Sequence, residues 1–125
     1  MSAPPVSYDW AWLVAVPDVC TGAAVPLGAV LHARRAGYLG LRLTDVPVPG
    51  LDTALLDRSR DALRRIADGD ASAGPVALLP PSERFHWLVA VRSAAIQSAP
   101  VRTGRTADPR AALDRIYAGL PQRAM

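Results

Sequence analysis

Apolar and polar positions along the chain change period several times, and each change marks an element. From Tyr8 to Val16 aromatic and aliphatic residues dominate up to Pro17, the pattern of a strand with a substantial buried face. Val25 to His32 reads as a second strand, and Pro17-Asp18-Val19-Cys20-Thr21-Gly22 between them supplies turn chemistry, which predicts antiparallel pairing. Arg34-Arg35-Ala36-Gly37 is another tight turn, and Tyr38 to Leu43 alternates as a strand with one wet face, completing a three-stranded meander. The run Val46-Pro47-Val48-Pro49-Gly50 lacks the amide donors a ladder needs and reads as a connector.

Helical spacing then takes over. From Asp52 to Asp68, Leu51, Ala54, Leu55, Leu63, Ile66 and Ala67 fall near one face, with Arg58, Arg60, Arg64, Arg65 and their aspartates as surface decoration. Asp52 is the expected N-cap and Gly69 the C-terminal stop, followed by a loop to Pro75. Pro80-Pro81-Ser82 opens a second helix with Ser82 as its cap, and Phe85, Leu88 and Val89 share its inner face. Extended structure is expected around Ala95 to Val101. Asp108-Pro109 starts a last helix, with Leu113, Ile116, Tyr117 and Leu120 on one face. The fold class that follows is α+β, an antiparallel meander of about three to four strands packed with two to three helices. We expect a single domain over 1–125 with its core at about 8–120 and flexible tails at 1–7 and 121–125.

Composition supports that reading: 50% of residues are hydrophobic and 20% charged, a globular and not a disordered balance. All 14 basic side chains are arginine, which codon bias accounts for without any binding role. The formal charge of +3 is unevenly spread. Residues 1–80 carry 7 Arg against 8 Asp, and residues 81–125 carry 7 Arg against 3 acids, so the basic part is C-terminal. The single Cys20 has no partner for an internal disulfide and is read as a silent thiol. No stretch approaches the roughly 20 apolar residues of a membrane helix, and no signal segment opens the chain, so a cytoplasmic location is expected without membrane association.

Candidate chemistry is sparse. His86 beside Glu83 reads as a helix-surface pair, and His32 at a strand end as a packing residue. Neither belongs to a metal-ligand spacing, so no metal and no cofactor is expected, and no catalytic residue can be assigned. The polar stretch Arg92, Ser93, Gln97, Arg102, Thr103, Gly104 and Arg105 combines guanidinium groups, hydroxyls and a glycine-freed backbone suited to a phosphate or carboxylate. The competing reading makes it an irregular loop bonding its own backbone. Nucleic-acid binding would need exposed aromatics among these cations, and Trp10, Trp12, Tyr38 and Trp87 stand in core-like contexts.

Tyr8-Asp9-Trp10-Ala11, Val25 through Leu31, Glu83-Arg84-Phe85, Trp87-Leu88-Val89, Arg92-Ser93, Ile96-Gln97 and Thr103-Gly104 together resemble a family of short bacterial proteins of unknown function, often encoded beside a HipA-like kinase. The resemblance spans about Tyr8 to Leu120. It implies a family pattern with polar residues where this chain has Val14, Thr21, Ala23 and Pro26, so this member is diverged in its first half. From that loss we expect an accessory protein, leaning non-catalytic, that binds a larger enzyme such as a HipA-like kinase or a biosynthetic enzyme encoded nearby. The alternatives are a small enzyme or ligand-binding domain holding an anion through Arg92–Arg105 and, third, nucleic-acid binding.

Overall fold

A computed structural model describes residues 4–17, 24–90 and 96–120. The chain folds as an antiparallel sheet with helices on both faces, the α+β class the pattern predicts. Strands β1 (Val6–Ala15), β2 (Val25–Ala33) and β3 (Tyr38–Leu43) form the expected meander, with Asp9 opposite His32 and His32 opposite Leu39. The other edge of β1 is shared by β4 (Ile96–Ser98), against Leu13–Ala15, and β5 (Arg102–Thr106), against Val6–Trp10. The Ala99 amide donates to the Trp12 carbonyl at 2.9 Å, and Pro100 then interrupts the ladder because it has no N–H to give. One edge position is therefore filled by two short strands, and the sheet has 5 strands.

Three sequence expectations are corrected here. Arg102–Thr106 is a strand and not an irregular loop, since its backbone pairs with β1. That pairing also draws Val6 and Ser7 into β1, two residues before the expected start at Tyr8. Ser82 is not a cap: helix α2 (Pro81–Val89) begins two residues earlier than that cap would place it, with Pro80 at the N-cap position and no side-chain cap. Pro81 at the first helical position fixes a helical φ where no amide is needed.

Helix α1 (Thr53–Asp68) has the expected termini. Asp52 accepts from the Leu55 amide at 3.0 Å, and Gly69 closes the helix at φ 72, a left-handed conformation that costs glycine little. Its buried stripe is Leu56, Arg60, Leu63 and Ala67, spaced four, three and four residues apart. Leu55 is instead exposed. Arg60, read as surface decoration, is only 1% exposed: its guanidinium donates to the Val46 carbonyl and lies 3.5 Å from Asp57, tying the proline-rich connector to α1. Between α1 and α2 the expected loop is ordered as two 3₁₀ turns, Ala71–Ala73 and Pro75–Leu78.

Alternation along β1 sorts the core. Ala11, Leu13 and Ala15 face α1 and α2 with Leu27, Leu63, Phe85 and Leu88. Tyr8, Trp10 and Trp12 point to the opposite face, where helix α3 (Pro109–Ala118) lays Ala112 and Leu113 over β2 and β3. Asp108 caps α3 by accepting from the Ala111 amide at 3.1 Å. No helix among the described residues is long and apolar enough to cross a membrane.

Arg84 joins α1 to α2. Its Nη1 donates to the carbonyls of Ile66 and Ala67 at 3.1 and 2.6 Å, and its Nε to that of Leu79 at 2.9 Å. A cation thus sits where α1 presents its last carbonyls and the negative end of its dipole. Charge-assisted bonds of this kind contribute about 1.5–3 kcal/mol each in the net. We expect Arg84→Met to lower stability by about 2–3 kcal/mol, seen as a lower urea midpoint with an unchanged slope. A midpoint within error of the parent protein would remove Arg84 from this role.

Candidate functional site

The polar C-terminal stretch does not converge on one pocket. Pairing with β1 places Arg105 opposite Ser7 and Thr103 opposite Asp9, on the face carrying α1 and α2. Arg102, opposite Trp10, and Gly104, opposite Tyr8, point to the other face. Two residues adjacent in a strand cannot share a pocket over one face. Arg102 stands over the Trp10 ring at 5.9 Å. Gly104 has a packing role: a Cβ there would lie 2.5 Å from the Tyr8 ring, which crosses the strand in the space a side chain would fill. Gln97 is exposed on β4 opposite Val14. Arg92 and Ser93, like Cys20, Thr21 and Ala23, lie outside the described residues.

Of the described members of that set only Arg105 lines a cleft of about 810 Å³ between α2 and the N-terminal half of β1. Asp9 and His32, paired across β1 and β2, form part of its floor. Arg34 and Arg35 follow directly from the end of β2, and Arg105 enters from β5, its Nη2 donating to the Pro5 carbonyl at 3.4 Å. Ser82 and His86, one helical turn apart, line the wall on α2. That spacing is what the sequence offered and what the Glu83–His86 reading passed over. Further along, Val89 and Val101 make the lining apolar.

Helix α2 is oriented by its neighbours. After its C-terminal end the chain reaches β4, which pairs with the Leu13–Ala15 end of β1, so its N-terminal turn lies towards Val6–Asp9. The start of α2, with Ser82 on the lining and Glu83 in its first turn, thus lies beside three guanidinium groups. The cleft holds one carboxylate, Asp9, and a ligand of up to drug size fits its volume. Among the described residues no group of three or more His, Cys, Asp or Glu is placed to hold a metal ion.

A family model described as a protein of unknown function, DUF3037, matches residues 10–120. The chain belongs to the DUF3037 family. Membership in a family of unknown function is thus what the C-terminal signature pointed to. No curated protein and no solved structure matches the chain. In this DUF3037 protein three of the residues that carried the resemblance have packing or capping roles: Arg84 closes α1, Phe85 stacks on His32, and Gly104 admits the Tyr8 ring. Trp87 is different, being 52% exposed and not the core residue its context suggested.

His32 is the most constrained ionisable group of the cleft. It is 7% exposed and stacked on Phe85, with ring centroids 5.6 Å apart and planes 28° apart. Burial first, and then the charges of Arg34 and Arg84, hold its pKa below 6.5, while Asp9 opposes them. Since the unfolded chain takes up the proton more readily, stability from this residue is complete above the unfolded value and declines as pH falls from about 6.5 towards the folded value. Urea unfolding at pH 7.5 and 5.0 should show His32→Gln losing less stability on acidification than the parent protein. An identical loss in both would show that His32 contributes nothing to that slope.

Proposed function

We propose that this DUF3037 protein is a small ligand-binding domain that holds an anionic group in the cleft between α2, β1 and β5. The supporting observation is the convergence of Arg34, Arg35 and Arg105 with the uncapped N-terminal turn of α2 around a single carboxylate. Guanidinium forks match the oxygens of phosphate and carboxylate, and the Ser82 hydroxyl on the first turn of α2 adds a donor. This revises the expected location of the anion site from the Arg92–Arg105 segment to a cleft that takes only Arg105 from it. Thermal unfolding in increasing inorganic phosphate, at ionic strength balanced with chloride, tests the reading. The parent protein should rise in Tm with phosphate concentration as a binding ligand requires, and Arg35→Ala combined with Arg105→Ala should abolish the rise. Equal responses of both proteins would refute it.

A second reading keeps the accessory role, in which the protein works in the cytoplasm bound to a larger enzyme such as a HipA-like kinase or a biosynthetic enzyme encoded nearby. What favours it is Trp87, 52% exposed on the outer side of α2, together with Leu78 at 68%. Exposed aromatic residues of this kind anchor protein interfaces. A stoichiometric complex with such an enzyme that Trp87→Ala weakens about tenfold or more, the loss of about 1.4 kcal/mol or more expected at an anchor, would support it. A complex indifferent to Trp87 would place the interface elsewhere.

A further inference from the structure

Resting on the anion-binding reading, we propose that the occupant of the cleft is a nucleoside monophosphate. The first argument is charge. Three guanidinium groups against the Asp9 carboxylate leave the lining at a net +2 with both histidines neutral. A phosphate monoester carries about −1.5 to −2 at pH 7 and neutralises it. A lone carboxylate leaves an excess of positive charge, and a triphosphate brings surplus negative charge against Asp9.

The second argument is the order of groups along the cleft. Towards the end nearest Ser7 the cleft is lined by Ser82 on the first turn of α2, by Arg34 and Arg35 after β2, and by Arg105 on β5, the groups suited to the phosphate. Asp9 lies two residues further along β1 on the same face; its carboxylate receives no hydrogen bond from a side chain among the described residues and is an acceptor for hydroxyl groups. His32 lies opposite it on the floor of the same cavity, 7% exposed, with its ring stacked on Phe85. Val89 on α2 and Val101 before β5 supply the apolar walls beyond. Ser82 and Val89 are seven residues apart on the helix, about 10 Å. Anion site, hydroxyl acceptor and apolar slot follow one another as phosphate, sugar and base do in a nucleotide. The cavity of about 810 Å³ is also far larger than a free phosphate needs.

Exposure of Val101 makes the base end testable without disturbing the core, since its side chain is 46% exposed. Calorimetric titration with adenosine 5′-monophosphate, adenosine, inorganic phosphate and octanoate at fixed ionic strength separates the outcomes. Adenosine monophosphate should bind at least about tenfold tighter than adenosine or phosphate, a difference of about 1.4 kcal/mol. Val101→Ser should weaken the nucleotide several-fold and leave phosphate unchanged, while Arg35→Ala with Arg105→Ala should weaken both. Phosphate binding as tightly as the nucleotide, or octanoate binding more tightly, would overturn the nucleotide assignment and leave the anion site standing. Adenosine binding as tightly as its monophosphate would also overturn it. Binding of none of the anions would overturn both readings, with circular dichroism establishing that each variant is folded.

Discussion

Every layer of this fold is referred to β1. Among the described residues it pairs with three strands, β2 on one edge and β4 and β5 in turn along the other. Its strict alternation sends Ala11, Leu13 and Ala15 into one core and Tyr8, Trp10 and Trp12 into the other. A one-residue slip would exchange small aliphatic side chains for indole rings on both faces at once, so the register is tightly specified. The small residues let α1 and α2 approach the sheet closely, while the bulky ones leave the opposite face to α3 over β2 and β3 only.

Arginine does structural work in several places here, and charge alone is a poor guide to which arginines are free to bind. Arg84 terminates α1, Arg60 is buried beneath the proline-rich connector, and Arg64 and Arg65 pair with Asp45 and Asp61. Arg42 pairs with Asp114 and lies 4.5 Å over the Tyr117 ring, joining β3 to α3. Arg34 and Arg35 take part in no such ion pair among the described residues and line the cleft, as does Arg105. These arginines thus divide into a share that holds the molecule together and a share that sets the potential of one cavity.

The cleft itself is a by-product of how strand ends meet. β2 ends at Ala33 and turns sharply through Arg34–Ala36, β1 starts at Val6 held by β5, and α2 crosses above them with its first turn uncapped. No element is distorted to create it. Its chemistry comes from which residues happen to occupy those ends, and these are positions where backbone geometry places few demands on residue type. That arrangement lets a family share a scaffold while its members differ in the groups they present.

Much of the scaffold was legible in the sequence. The meander, both termini of α1, the Asp108 cap and the antiparallel α+β class follow from local period and from Asp, Pro and Gly chemistry, which act over a few residues. Long-range pairing was not legible. Nothing local distinguishes Arg102–Thr106 as a strand, because its polar residues acquire extended structure from β1 and not from their own propensity. The same pairing split the expected anion site between two faces and brought Arg105 to His32, Arg34, Arg35 and Ser82, residues far apart in the chain. Arg60 was hidden for a similar reason: a charged residue on the buried stripe is tolerated only because the Val46 carbonyl, 14 residues earlier, meets its guanidinium. The sequence by itself determined the elements, whose causes are local. The tertiary structure alone decided which side chains meet, since a binding site depends on contacts between segments that periodicity does not encode.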